Sequence, residues 1–156
     1  MGNVISRAEL PHVVADLRRR QRTIVASNGC FDLLHVGHVR YLQAARRLGD
    51  ALIVGVNADE SVRRLKGPER PINTEADRAE VLAALACVDY AVIFGEDTAS
   101  ELLSEIRPDV YAKGGDYTLE SLPEAAIVQQ HGGRVALIPL VPGKSTSALQ
   151  ARLARK

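Results

Sequence analysis

The chain is short of aromatics: among 156 residues there is no tryptophan, and two phenylalanines and four tyrosines make up 4%. With 46% hydrophobic and 25% charged residues beside them, this is the composition of a soluble α/β protein. An excess of charge of one sign is missing too. The formal net charge is +1, so no global basic field points to nucleic acid or a membrane surface. The two cysteines, Cys30 and Cys87, lie far apart in apolar contexts, which excludes a disulfide framework and fits reduced thiols. No apolar run approaches the roughly 18 residues of a membrane span. Charged and polar residues interrupt every apolar stretch of the N-terminus, so a signal-peptide pattern is also missing. These absences lead to the expectation of a cytoplasmic protein with no nucleic-acid or membrane partner. No internal repeat, low-complexity segment or linker divides the chain, and its length suits one domain with its own core.

What is present is a regular alternation. Apolar, β-branched runs predict strands at 23–28, 51–57, 89–94, 109–112 and 134–140. Helical spacing predicts helices at 36–48, 75–86, 97–106, 120–131 and 145–154. Ala51–Val56 is apolar throughout, as a parallel strand covered on both faces should be. Gly49 suits a C-cap of the preceding helix, and Asp97 or Thr98 an N-cap of the helix after 95. Such alternation calls for right-handed βαβ units. The expected fold class is α/β: one doubly wound, Rossmann-like domain over 22–156, with a five-stranded parallel sheet flanked by helices. Residues 1–21 are expected to form a lead-in helix, over 7–20, packed on that domain. Its basic end, Arg18–Arg20, reads as a solvated helix terminus.

Residues 28–38 read Asn-Gly-Cys-Phe-Asp-Leu-Leu-His-Val-Gly-His. They fall where the first long strand hands over to a helix, whose unpaired N–H groups and dipole favour anions. Gly37 lacks a Cβ, so phosphate could approach the backbone between His35 and His38. Zinc is the competing reading for Cys30, His35 and His38, but no CxxC or second histidine pair completes a four-ligand set. Polar clusters follow other strands as well: Asn57–Ser61 with the basic run Arg63–Arg70, Lys113–Tyr117, and Gly143–Ser147. In an open parallel sheet these converge outside the strands' carboxyl ends. The 63–70 segment reads either as a solvated loop or as a cationic flap over a polyanion. Gly143-Lys-Ser-Thr looks like the end of a P-loop, but Ile138 stands where that motif needs glycine. What survives there is a helix start offering hydroxyls and N–H groups to phosphate, or plain capping by Ser145. No G-x-G-x-x-G follows the first long strand, which disfavours a dinucleotide dehydrogenase. No nucleophile constellation stands out, although Cys30 near His35 leaves a thiol mechanism formally open. Transfer between phosphates needs no covalent residue, but positioning and positive charge.

The Asn28-Gly-Cys-Phe-Asp-x-x-His35-x-Gly-His38 run resembles the signature of the nucleotidyltransferase superfamily that contains cytidylyltransferases and adenylyltransferases. The resemblance continues through Gly55–Val62, Arg64–Asn73, Asp77–Leu85, Val88–Thr98 and Pro108–Tyr117. Together these blocks are similar to the heptose branch, whose members make ADP-heptose from D-glycero-β-D-manno-heptose 1-phosphate and ATP. The resemblance implies that 22–156 is a nucleotidyltransferase domain and that His35, His38 and Lys66 are catalytic. It implies nucleotide binding by Asn28, Gly29, Cys30, Phe31, Asp32, Gly37, His38, Lys113, Gly115, Asp116, Ser145 and Thr146. Substrate contacts would come from Asn57, Asp59, Lys66 and Arg78, the last for phosphate or structural contacts. Ser147 stands where many relatives carry a second threonine. Mg²⁺ is expected with ATP, with no side chain assignable to it, and a homodimer is the expected assembly. The kinase domain fused to this unit in some relatives is not in the sequence, so that activity is expected on a separate chain. Three alternatives stay open: a cytidylyltransferase acting on glycerol 3-phosphate or a related alcohol phosphate, an FMN adenylyltransferase, and a non-catalytic nucleotide-binding regulatory module.

Overall fold

The computed structural model describes residues 1–115 and 117–155. In chain order the elements are β1 (Asn3–Ile5), α1 (Leu10–Arg19), β2 (Ile24–Gly29), α2 (Val36–Arg46), β3 (Ala51–Asn57), α3 (Asp59–Lys66) and α4 (Glu75–Ala83). Then follow β4 (Tyr90–Phe94), α5 (Ser100–Ile106), β5 (Val110–Gly114), α6 (Ala125–Gln130), β6 (Arg134–Ile138) and α7 (Thr146–Leu153). The sheet has six strands in the order β1-β4-β3-β2-β5-β6, all pairs parallel.

The sheet therefore has one strand more than the five expected. The additional one, β1, lies ahead of the lead-in helix and pairs with β4 at the sheet edge. Three residues with two exposed side chains carry no legible period. What places the strand is backbone: Gly2 N–H donates to Ala83 O and Asn3 N–H to Asp89 O, both at 2.9 Å. A Cβ on Gly2 would sit 2.2 Å from Val88 O, so the close approach requires glycine.

Successive residues of β2 point to opposite faces, and each face has its own core. Ile24 and Ala26 join Leu10, Leu17, Phe94, Leu102 and Tyr111 under α1 and α5. Val25 joins Leu42, Leu52, Val54 and Leu82 under α2 and α4. Arg18 pairs with Asp109, while Arg19 and Arg20 pair with Asp16, so the basic end of α1 is a solvated helix terminus.

Two capping expectations are corrected. Arg47, in the right-handed region, ends α2. Gly49 is needed instead because a Cβ there would meet Thr23 O at 2.7 Å. Neither Asp97 nor Thr98 caps α5; Ala99 precedes it, and the Glu124 carboxylate accepts the Ala99 N–H at 3.2 Å. The 63–70 segment, read as a loop or flap, is helical as far as Lys66, where α3 ends. α3 buries Ser61 and Val62 and turns Arg63, Arg64 and Lys66 outward.

After β4 the chain crosses to the far side of β2. The strand order thus reverses between β2 and β5, the place where ligands bind in open α/β sheets.

Candidate active site

The loop after β2 is anchored by its own side chains. His35 is the N-cap of α2, and its Nδ1 accepts the Gly37 N–H at 3.1 Å. A neutral His35 with Nδ1 accepting carries its proton on Nε2, ready to donate. His38, one turn into the helix, stacks on His35 with ring centroids 3.9 Å apart and planes at 27°. Phe31 packs edge-on against His38 at 5.3 Å. Burial, His35 and Lys66 push the His38 pKa down to about 4 from an ordinary 6.5. Burial and Lys144 lower His35 as well. The stacked pair is thus held neutral among cations, and His38 Nδ1 is buried without a hydrogen-bond partner among the described residues. An anion placed here would relieve both costs.

Behind this pair, Tyr41 of α2 bonds Ser27 and donates to Ala112 O at 2.8 Å, tying α2 to β2 and β5. Its burial pushes the phenol up to about 12. Tyr111 donates to Asn28 Oδ1 at 2.6 Å, which turns the Asn28 amide nitrogen away from that bond.

A cavity of about 370 Å³ opens in front of the histidines. It brings together Asn28 and Gly29 from the end of β2, Cys30, Phe31, Asp32 and His35 from the loop after it, and Gly37 and His38 from the start of α2. Lys66 from α3, Lys113 from β5, and Ser145, Thr146 and Ser147 from the start of α7 complete the convergence foreseen from sequence. Burial lowers the Lys113 pKa, while Glu124 and Cys30 hold it up. Burial also raises the Cys30 thiol, so the geometry does not favour a thiolate nucleophile. The α7 hydroxyls have structural work too: Ser145 Oγ accepts the Ala148 N–H at 3.0 Å, and Thr146 Oγ1 donates to Leu33 O at 3.2 Å. Thr146 thereby fastens the helix start to the histidine loop.

Several expected site residues also hold the scaffold together. Asp32 accepts N–H bonds from Ile72 and Asn73 and pairs with Arg70 at 2.7 Å. Burial opposes its ionisation, yet those two N–H groups and Arg70 hold its carboxyl below the usual range. Arg70 also donates to Gln150, so the 67–73 segment is strapped across the loop to α7. Asn57 is buried and donates to Ser61 at 2.9 Å, fixing the start of α3. Arg78, with its side chain 1% exposed, is divided among Asn73 O, Cys30 O and Asp59 Oδ1. Asp59 and Arg78 therefore support the loop from behind and do not line the cavity. Gly115 takes φ +113, a conformation suited to glycine, beside the lining residue Gly114. Asp116 lies outside the described residues.

The cavity also contains Tyr41, Arg70, Tyr117 and Lys144, which were not singled out as site residues. Arg70, Tyr117 and Lys144 do fall within the polar clusters after strands. Tyr41 reads only as a helix residue, since its role depends on the β5 carbonyl.

Gly37 gives a direct test of the pair's geometry. A Cβ there would lie 2.8 Å from the His35 ring and 3.3 Å from Lys144 Cβ. Gly37→Ala is expected to lower stability by about 1 kcal/mol, because the His35 ring that caps α2 must give way. It should also lower kcat/KM by about 100-fold through displacement of His35. Thermal unfolding and steady-state rates measured together check both halves.

Comparison with known proteins agrees with this geometry. Residues 26–142 match the family model described as cytidylyltransferase-like. The chain is 56% identical over 147 residues to the "Bifunctional protein HldE" of Syntrophotalea carbinolica, covering 94% of this chain and 30% of that protein. The protein of the same name from Streptomyces coelicolor is 56% identical over 142 residues, 91% of this chain and 31% of its own length. The chain thus spans just under a third of the curated relatives it matches. Among solved structures, the lipopolysaccharide core biosynthesis protein from Thermoplasma volcanium GSS1 superposes with a TM-score of 0.63 at 30% identity. That match covers 77% of this chain and 97% of the other. With the stacked histidines at the switch point and a family match across most of its length, this chain belongs to the cytidylyltransferase-like family.

Proposed function

We propose that the chain is an adenylyltransferase that moves AMP from ATP to D-glycero-β-D-manno-heptose 1-phosphate, giving ADP-heptose and pyrophosphate. The observation that carries nucleotidyl transfer is the His35–His38 stack, which lines one cavity together with Lys66, Lys113 and the α7 start. The heptose assignment is supported by the Lys113-Gly-Gly-Asp-Tyr block and by relatives named HldE.

In this reading an oxygen of the sugar phosphate attacks the α-phosphorus in line as the bond to the β-phosphate oxygen breaks. Negative charge grows on the α-phosphate oxygens and on the departing pyrophosphate. His35 and His38 donate to those oxygens, and Lys66 and Lys113, in the same cavity, balance the charge. The start of α7, with Ser145 and Thr146, receives the outer phosphates. ATP enters as its Mg²⁺ complex. Asp32 is committed to Ile72, Asn73 and Arg70, so the ion's ligands would come mainly from phosphate oxygens and water. The resemblance suggests a cytoplasmic homodimer.

A pyrophosphate-release screen of ATP and CTP against heptose 1-phosphates, glycerol 3-phosphate and FMN tests the reading. Release with ATP and a heptose 1-phosphate is expected. Release with CTP and glycerol 3-phosphate alone would replace it with the cytidylyltransferase reading, and flavin dependence with the FMN reading. ATP binding without release across the panel would indicate a regulatory module.

A further inference from the structure

A second cavity of about 370 Å³ adjoins the first and shares Asn28, Gly29, Cys30, Lys66, Lys113 and Tyr117 with it. The two are lobes of one cleft, meeting at a neck that carries both lysines. The walls peculiar to the second lobe come from the ends of β3 and β4 and the approach to α6: Asn57, Asp97, Thr98, Pro123 and Glu124.

The two lobes differ in chemistry. The first carries imidazoles, cations and a helix start, all suited to a polyphosphate. The second carries two carboxylates, a hydroxyl and an amide against Leu65, Leu122 and Pro123. Carboxylates repel phosphate but accept strongly from hydroxyl groups, while the apolar wall suits the C–H face of a sugar ring. Glu124 is the built part of this lobe: it is 5% exposed, and its Oε1 accepts the Ala99 N–H at 3.2 Å. Oε2 takes no hydrogen bond among the described residues, so the capping contact fixes the carboxylate while leaving an acceptor free. Asp97 is held from outside by Arg64, through a 2.7 Å bond.

We propose that the second lobe receives the polyhydroxylated body of the acceptor, with its phosphate at the Lys66–Lys113 neck, and that Glu124 reads its hydroxyls. This rests on the sugar-phosphate reading above and extends it to residues outside the sequence motif. It also separates the acceptor from the nucleotide. The hydroxylated body lies among Asp97, Thr98 and Glu124, and only the reacting phosphate enters the cationic neck.

Glu124→Gln keeps an oxygen to cap α5 and removes the charged acceptor. Calorimetric titration of heptose 1-phosphate and of glycerol 3-phosphate onto wild-type and variant protein reads the lobe without requiring turnover. The expected result is an approximately 10-fold weaker heptose 1-phosphate, with glycerol 3-phosphate and the KM for ATP within about twofold of wild type. Unchanged heptose 1-phosphate affinity would overturn the inference. Equal weakening of both phosphates would also overturn it, since Glu124 would then act only by sustaining the charge of Lys113. Because binding is read separately, Glu124-dependent heptose binding without pyrophosphate release would sink adenylyl transfer and leave the lobe assignment standing.

Discussion

His38→Ala is expected to lower kcat by about 100- to 1,000-fold with little change in secondary structure, the loss typical of one donor to transition-state charge. His38 is half-buried and packed between Phe31 and His35, so its position is set before any substrate arrives. A preorganised donor costs no reorganisation during the reaction. The loss should therefore fall mainly on kcat, with KM for ATP changing less. The same substitution has a second, separable effect. The folded-state pKa of His38 is about 4, below an ordinary 6.5, so between these values the unfolded chain binds more protons. The contribution of this neutral, half-buried imidazole is full above about pH 6.5 and fades as pH falls toward 4. Urea unfolding across that window should show wild type losing stability more steeply than His38→Ala. Near-wild-type kcat would remove the pair from the mechanism, and parallel pH curves would contradict the neutral state of His38.

The second large effect is expected from Arg78, and on stability. Its guanidinium is 1% exposed and shared among Asn73 O, Cys30 O and Asp59. Arg78→Ala would strand a partly buried carboxylate and two carbonyls, at a cost of about 3–5 kcal/mol. For a chain of this size that corresponds to a fall in Tm of about 10 °C. The molecules that remain folded should bind ATP and sugar phosphate with nearly unchanged KM. A preserved Tm with a raised KM for sugar phosphate would return Arg78 to the substrate.

These two residues show where sequence reasoning reaches and where it stops. His35-Val-Gly-His38 is legible because its chemistry is local: two imidazoles, one glycine and one helix start within four positions. The long parallel strands and the helices crossing over them are legible for the same reason, since their apolar periods lie within each segment. Arg78 is different. Whether a guanidinium meets phosphate or backbone carbonyls depends on residues up to 48 positions away, at Cys30. The partners of Asp32 are hidden in the same way, because the groups that occupy its carboxylate arrive from 70–73. β1 escapes notice because hydrogen bonds and the close approach of Gly2 place it, without an apolar pattern. α3 is obscured because its arginines and lysine suggest a loop, while only Ser61 and Val62 mark its buried side. Glu124 leaves no local trace, since its partner Ala99 is 25 positions away.

The most direct measurement of adenylyl transfer follows the α-phosphorus. Incubated with α-³²P-labelled ATP and D-glycero-β-D-manno-heptose 1-phosphate, the protein is expected to move the label into a sugar nucleotide while releasing unlabelled pyrophosphate. Label appearing in ADP, or remaining in ATP while other nucleotides react, would contradict adenylyl transfer at the His35–His38 cavity.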